Sequence, residues 1–403
     1  MPSICFYFQV HQPFRLKPYD CFKIGHDHFY EDELVNKDIL DRVSRKCYLT
    51  ANHTLLNLIE KYKGKFKIAY SISGTAIEQM ERYRPDVLQS FQSLAKTGCV
   101  EFLSETYHHS LSYLYSKEEF IRQVAMHREK INLHFQQDPQ VFRNTELIYN
   151  NEIANFVHQL GYKGIICEGL DHILGYRSPN FIYHPPGNPE MRCLLKNYKL
   201  SDDVAFRFSN KGWEEWPLTA PKFAHWVHRV AGNGDTINLF MDYETFGEHQ
   251  WPETGIFDFL KAMPEEIFKH PDFDFKTPSE VIHSYPVRGE YDVHHLASWA
   301  DLERDLSAWL GNSLQHDAME RIYALEKSVK ETGDQNLIKV WAKLLTSDHF
   351  YYMCTKYWHD GDVHKYFSHY NTPYDAYINF MNVVTDFEYL LEETATTTSS
   401  LNK

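Results

Sequence analysis

The sequence predicts an α/β protein, a barrel of parallel strands each followed by a helix, with a helical region after it. Three observations predict this. Short apolar or alternating runs recur between helical patterns from the N-terminus to Asp242. Most of these runs end in polar residues, as strands do at the C-terminal face of such a barrel. From about Val287 the chain reads as successive helices without convincing strands.

Taken in order, the first strand is Ile4–Val10, ending at His11-Gln12-Pro13. A helical stretch, Leu34 to Tyr62, precedes the strand Phe66–Ser73, which Gly74 closes. Pro85 opens a helix with Val87, Leu88, Phe91 and Leu94 on one face, and Gly98 ends it. The third strand, Val100–Ser104, runs into Glu105 to His109, and a helix follows from Lys117 to about Phe135. Val141–Arg143 is a short fourth strand leading into Asn144-Thr145-Glu146. Asn151 reads as the N-cap of the next helix, with Gly161 as its stop. Gly164–Cys167 is the fifth strand. A weaker sixth lies within Cys193–Leu200 and ends at Ser201-Asp202-Asp203. Thr219 begins a helix containing Phe223, Trp226, Val227 and Val230. The seventh strand, Thr236–Met241, is the clearest and ends at Asp242. Phe273–Phe275, before the helix start at Thr277, fits a short eighth, and the pattern does not choose between seven and eight. Asp301–Leu310, His316–Lys330, Asn336–Thr346 and Pro373–Glu392 read as the later helices.

At 403 residues the chain is long enough for a large barrel plus an accessory region. Its formal charge of −14 argues against nucleic acid, which needs a basic face. No stretch approaches the roughly 18 apolar residues of a membrane span, so no membrane partner is expected. Met1–Val10 lacks a basic leader, and the seven scattered cysteines form no CxxC pair. A cytoplasmic location with reduced thiols is the expectation. Aromatic residues make up 15% of the chain, which suits stacking on sugar rings and equally a large aromatic core.

The strand ends collect a polar set: His11, Gln12, Glu105, His108, His109, Glu146, Glu168, Asp202, Asp203, Asp242 and Glu244. Glycoside hydrolysis needs two carboxyl groups across a cleft, one at the oxocarbenium-like centre and one protonating the leaving oxygen. Glu146 and Asp242 each end an apolar strand inside this set. The residues alone do not rank them above Glu105, Glu168 or Glu244. His26-Asp27-His28, His108-His109 and His359-Asp360-Gly361-Asp362 offer metal-ligand types, but none has the spacing of HExxH or paired CxxC, so no metal is expected. The sequence has no P-loop and no GxGxxG, and no cofactor is expected.

Five segments, in order, carry a family resemblance. They are His11-Gln12-Pro13, Glu105-Thr106-Tyr107-His108-His109, Arg143-Asn144-Thr145-Glu146, Phe240-Met241-Asp242-Tyr243-Glu244-Thr245-Phe246-Gly247 and Thr346-Ser347-Asp348-His349-Phe350-Tyr351-Tyr352. The chain resembles glycoside hydrolase family 57, in particular its α-amylase-like members, from residue 11 to about 352. One departure is Ser110, where the second motif often carries proline. The resemblance implies an incomplete TIM-like (β/α)7 barrel followed by a C-terminal helical region, and no obligatory calcium. It implies the division 1–286 for the catalytic barrel and 287–392 for helices completing the active-site mouth. Residues 393–403 are a Thr/Ser-rich tail, expected to be disordered. It further implies a retaining enzyme acting on the α-1,4 linkages of an α-glucan polysaccharide or maltooligosaccharide. Glu146 is then the nucleophile and Asp242 the acid/base, its proton held by like charge from Glu146 and Glu244.

The same resemblance assigns His11, Gln12, His109, Glu244 and Asp348 to substrate binding, and Trp251 joins them from its position in the sequence. Trp213, Trp216, Trp251 and Trp299 are candidate stacking platforms, with Trp251 favoured because it follows the fourth motif in a loop. Transfer by a 4-α-glucanotransferase or branching enzyme would use the same pair. A catalytically silent glucan-binding protein is the non-enzyme alternative, and the presence of both carboxyl groups argues against it. A metal-dependent deacetylase would need an Asp and a His-x3-His set that the strand ends do not carry.

Overall fold

The computed structural model describes residues 2–356 and 368–401. Its strands are β1 (Ser3–Val10), β2 (Ile68–Ile72), β3 (Val100–Phe102), β4 (Val141–Arg143), β5 (Gly164–Glu168), β6 (Ile182–His184), β7 (Arg192–Lys196), β8 (Thr236–Asp242), β9 (Asp274–Phe275) and β10 (Val287–Glu290). Seven of them close a parallel ring. β1 lies between β2 and β8, β2 pairs β3, β4 pairs β5, β5 pairs β7, and β7 meets β8 at Lys196 and Asn238. A bridge between Ser104 and Phe142 joins β3 to β4, with Ser104 N–H donating to Val141 O at 3.1 Å and Arg143 N–H to Ser104 O at 2.8 Å. The fold is thus a (β/α)7 barrel. β9 pairs only the start of β1 and does not enter the ring, so seven is the number. β6 and β10, which the sequence pattern did not place, add to the sheet beside β7: β6 runs antiparallel to it and β10 parallel to β6.

Alternation along the strands sorts the core into two clusters. Ile4, Phe6, Phe8 and Val10 of β1 pack with Ile68, Tyr70, Ile72, Ile237, Leu239 and Met241 toward the helices. Cys5 and Tyr7 join Ala69, Leu103, Val141, Ile166, Leu194 and Phe240 inside the ring. Val281 and Ile282, from the helix Pro278–Ser284, pack in this inner cluster too.

The chain packs as two compact units. The first takes Met1–Gln12, Asp38–Glu105 and Val124–Trp299; the second takes Pro13–Lys37, Thr106–Gln123 and Ala300–Lys403. The division is therefore not one break after residue 286. The segments following β1 and β3 carry apolar residues of their own, among them Phe14, Tyr19, Tyr30 and Tyr113, and bury them in the second unit. There the helices are Ser307–Leu310, Ser313–Ala324, Glu326–Glu331, Gln335–Leu344, Ser347–Tyr351 and Pro373–Leu401. The last one holds Asp386, which accepts hydrogen bonds from Gly25 N–H (2.6 Å) and Tyr30 Oη–H (2.5 Å). That helix also continues to Leu401, through residues expected to be disordered; once a helix is nucleated, each further Thr or Ser costs little. No helix among the described residues is long and apolar enough to cross a membrane. All seven cysteines are free thiols.

Candidate active site

Period-two alternation continues past the apolar inner cluster and turns polar at the C-terminal end of every ring strand. The inward series Cys5, Tyr7 ends on Gln9; Ala69 is followed by Ser71, Leu103 by Glu105, and Val141 by Arg143. Ile166 is followed by Glu168, Leu194 by Lys196, and Phe240 by Asp242. These side chains are wired together. Tyr7 Oη–H donates to Gln9 Oε1. Gln9 Nε2 (3.1 Å) and Ser71 Oγ (2.6 Å) donate to Glu105 Oε1, and Arg143 Nη1 lies 3.7 Å from Glu105 Oε2. Lys196 Nζ donates to Asp202 Oδ1 at 3.0 Å and sits 3.7 Å from Glu168 Oε2.

Arg143 is fully buried. Burial alone would favour its neutral form, yet Tyr7, Glu105, Glu146 and Asp242 hold the guanidinium above its usual range. Both candidate catalytic carboxyl groups therefore act on one buried cation. Glu146 and Asp242 are only partly buried, whereas the residues on either side of each are buried.

Glu146 follows β4 in a tight turn with φ 58° and ψ 25°, a left-handed conformation that side chains other than glycine rarely adopt. The turn is held from both ends. Leu147 N–H donates to Asn144 O (3.0 Å) and Asn144 Nδ2 to Ile148 O (2.9 Å). The segment ending at Trp299 is strapped alongside: Tyr149 and Ala297 exchange backbone hydrogen bonds of 2.9 Å, and Trp299 N–H reaches Glu146 O at 3.3 Å. Trp299 Nε1–H donates to Glu146 Oε2 at 2.8 Å. Arg143 and Lys196 place cations 5.3 and 5.4 Å from the centroid of the Trp299 ring. Trp299 thus engages Glu146 through its N–H, a contact that the expectation of a stacking platform did not include.

At the other carboxyl, Asp242 ends β8 opposite Gln9 of β1. Two residues on, Glu244 is buried and accepts from Tyr48 Oη–H. Burial, with the charge of Asp242 as second cause, pushes the Glu244 carboxyl up from 4.5 to about 8. Tyr48 comes from a widened helical turn, Ser44–Tyr48, of the kind that often marks functional sites. Gln12 Nε2 approaches the same phenol at 3.4 Å, and His11 Nδ1 is 2.7 Å from Ser73 Oγ. The loop after Glu244 exposes Trp251, 60% accessible, with Lys46 Nζ 5.8 Å from its ring. Trp216 is exposed, and Trp213 packs edge-on against Trp226.

Asp202 and Asp203 do not end a strand. β7 stops at Lys196, Asn197 caps the next helix by accepting from Leu200 N–H (3.1 Å), and both aspartates lie in Tyr198–Ala205. Lys196 takes the inward position instead, with Asp202 as its partner. The N-cap expected at Asn151 is Asn150, whose side chain accepts from Ile153 N–H at 2.9 Å. In the second unit, the backbones of the second and fifth motifs meet: Ser347 N–H donates to His109 O at 2.9 Å, and Ser110 pairs with Thr346. Ser110 also donates to Gln123 Oε1 at 2.9 Å, fixing the loop where the motif often has proline. His108 is buried and held neutral by burial. Among the described residues no three His, Cys, Asp or Glu side chains gather as a metal site would require; His359 to Asp362 lie outside the described residues. Gln9, Ser71, Arg143 and Lys196 were not singled out beforehand, although counting two residues past each inner apolar position finds them.

The family model for glycosyl hydrolase family 57 matches residues 5–294. A Methanocaldococcus jannaschii protein carrying the name "Putative alpha-amylase" is 45% identical over 97% of this chain and 85% of its own length. A Pyrococcus abyssi protein named alpha-amylase is 22% identical over 58% of this chain, and the match spans only 34% of that relative. Among solved structures, the branching enzyme of Thermococcus kodakaraensis superposes with a TM-score of 0.66 at 14% identity, covering 91% of this chain and 88% of that one. The 4-alpha-glucanotransferase of Thermococcus litoralis gives 0.67 at 15% identity, covering 87% of this chain and 56% of that one. These last two likenesses speak for the barrel fold. With the family match across most of its length and the close archaeal relative, the chain belongs to glycosyl hydrolase family 57, a family of glycosidases.

Proposed function

We propose that the protein is a retaining glycosidase of the α-amylase type that cleaves α-1,4 linkages in α-glucans. Glu146 is the nucleophile and Asp242 the acid/base. The observation that carries this is the pair of partly buried acidic residues at the ends of β4 and β8, both acting on the buried Arg143. In the first step a Glu146 oxygen bonds the anomeric carbon as the glycosidic C–O bond breaks, and Asp242 gives its proton to the leaving oxygen. In the second, Asp242 takes a proton from water as that water displaces Glu146. His11, Gln12, Glu244 and Trp251 bind the sugar chain. His109 and Asp348 are assigned to the same task on the motif match alone. The name of the archaeal relative supports the α-glucan substrate, and the reaction takes place in the cytoplasm with no bound cofactor.

The test is the anomeric form of the first product from maltoheptaose, followed by NMR, with Glu146→Gln and Asp242→Asn as controls. The expected result is an α-product and at least a thousandfold loss of turnover in each variant, with the fold intact. A β-product, or turnover near wild type in either variant, refutes the assignment. Transfer to a sugar hydroxyl is the second reading, favoured by the activities that the two superposable structures are named for. Products longer than the starting maltooligosaccharide would decide for it.

A further inference from the structure

We propose that Trp299 is the positioning residue for the nucleophile, setting which oxygen of Glu146 attacks. This rests on the reading of Glu146 as nucleophile. The indole N–H holds Oε2 at 2.8 Å, and the backbone N–H of the same residue holds the Glu146 carbonyl at 3.3 Å. One residue thus fixes both the side chain and the left-handed backbone of Glu146, at φ 58°. The Arg143 guanidinium and the Lys196 ammonium lie within 5.4 Å of the centre of the indole ring, where a cation is attracted to the π-face and orients the ring. With Oε2 engaged, Oε1 forms the bond to the anomeric carbon. The glycosidic C–O bond breaks, and its oxygen leaves with the proton of Asp242. In the resulting ester Oε2 is the carbonyl oxygen and keeps its hydrogen bond. When water displaces the ester, the same N–H receives the charge that returns to Oε2.

The test compares kcat and KM on maltoheptaose for the wild type, Trp299→Phe, and a variant with 3-benzothienylalanine at 299, which keeps the ring shape and deletes the N–H. Glu146→Gln runs in parallel. A lost hydrogen bond to an ionised group predicts a fall in kcat of roughly 10- to 100-fold. KM should stay within about threefold, because the group acts on the nucleophile and not on the bound sugar. If Trp299→Phe does not fold, the isosteric variant decides. Wild-type kcat in the isosteric variant, or a loss confined to KM, overturns the proposal while an inactive Glu146→Gln leaves the nucleophile assignment standing. An active Glu146→Gln removes both.

Discussion

Glu244→Gln replaces a buried carboxyl by a neutral isostere and tests the electrostatics of the site directly. In the folded protein this carboxyl is pushed from 4.5 to about 8, first by burial and then by Asp242. Between those values the folded state keeps a proton that the unfolded chain gives up. The stability tied to that proton is fully present below pH 4.5 and is lost as pH rises through about 8. At about 1.4 kcal/mol per pH unit, the window amounts to on the order of 5 kcal/mol at most. The assay is the unfolding free energy in urea at pH 5 to 9 for both proteins. The wild-type value minus the variant value should fall by several kcal/mol from pH 5 to pH 8 and then level off. Groups whose titration does not depend on Glu244 cancel in this difference, among them His249, which burial pushes down to about 4. A difference that stays flat across pH 5 to 9 would refute the reasoning, for it would mean that Glu244 keeps its ordinary proton affinity when buried.

Gly247→Ala should destabilise by about 3 kcal/mol or more. Its Cβ would stand 2.0 Å from the Lys46 carbonyl oxygen at φ +110°, and calorimetry would show the loss. Arg143→Met strands the buried Glu105 carboxylate and should cost about 3–5 kcal/mol; adding Glu105→Gln should recover part of it, which a shared thermal-melt series would register. Trp251→Ala, at an exposed position, should leave the melting temperature unchanged and raise KM for long glucans roughly three- to tenfold. An unchanged KM would remove Trp251 from the binding residues.

Periodicity placed the strands because alternation and helical spacing are local properties of the chain. All seven ring strands overlap the apolar runs that predicted them, and both proposed catalytic carboxyl groups stand at the ends of such runs. β6 and β10 escaped because they are only three and four residues long, too short for alternation to register, although Ile182 and Tyr183 of β6 are both buried. The inner polar series was equally legible. Ser71, Arg143 and Lys196 each follow an inner apolar residue by two positions, so alternation alone aims them into the barrel. The sixth strand misled because its apolar pattern blurs into the next helix, and only the cap at Asn197 separates Lys196 from the two aspartates.

The sequence by itself determined the α/β alternation, the rough position of the ring strands and the polar character of their C-terminal ends, while the choice of seven strands over eight waited for the pairing of β9 outside the ring. Family motifs then named Glu146 and Asp242 among several equivalent acids. The tertiary structure decided what no local pattern carries. It brought Trp299 to Glu146 across 153 residues of chain, because a strap paired through Tyr149 and Ala297 ends there. It also raised the proton affinity of Glu244, since that depends on how completely surrounding groups such as Tyr48 exclude water, and on the neighbouring charge of Asp242.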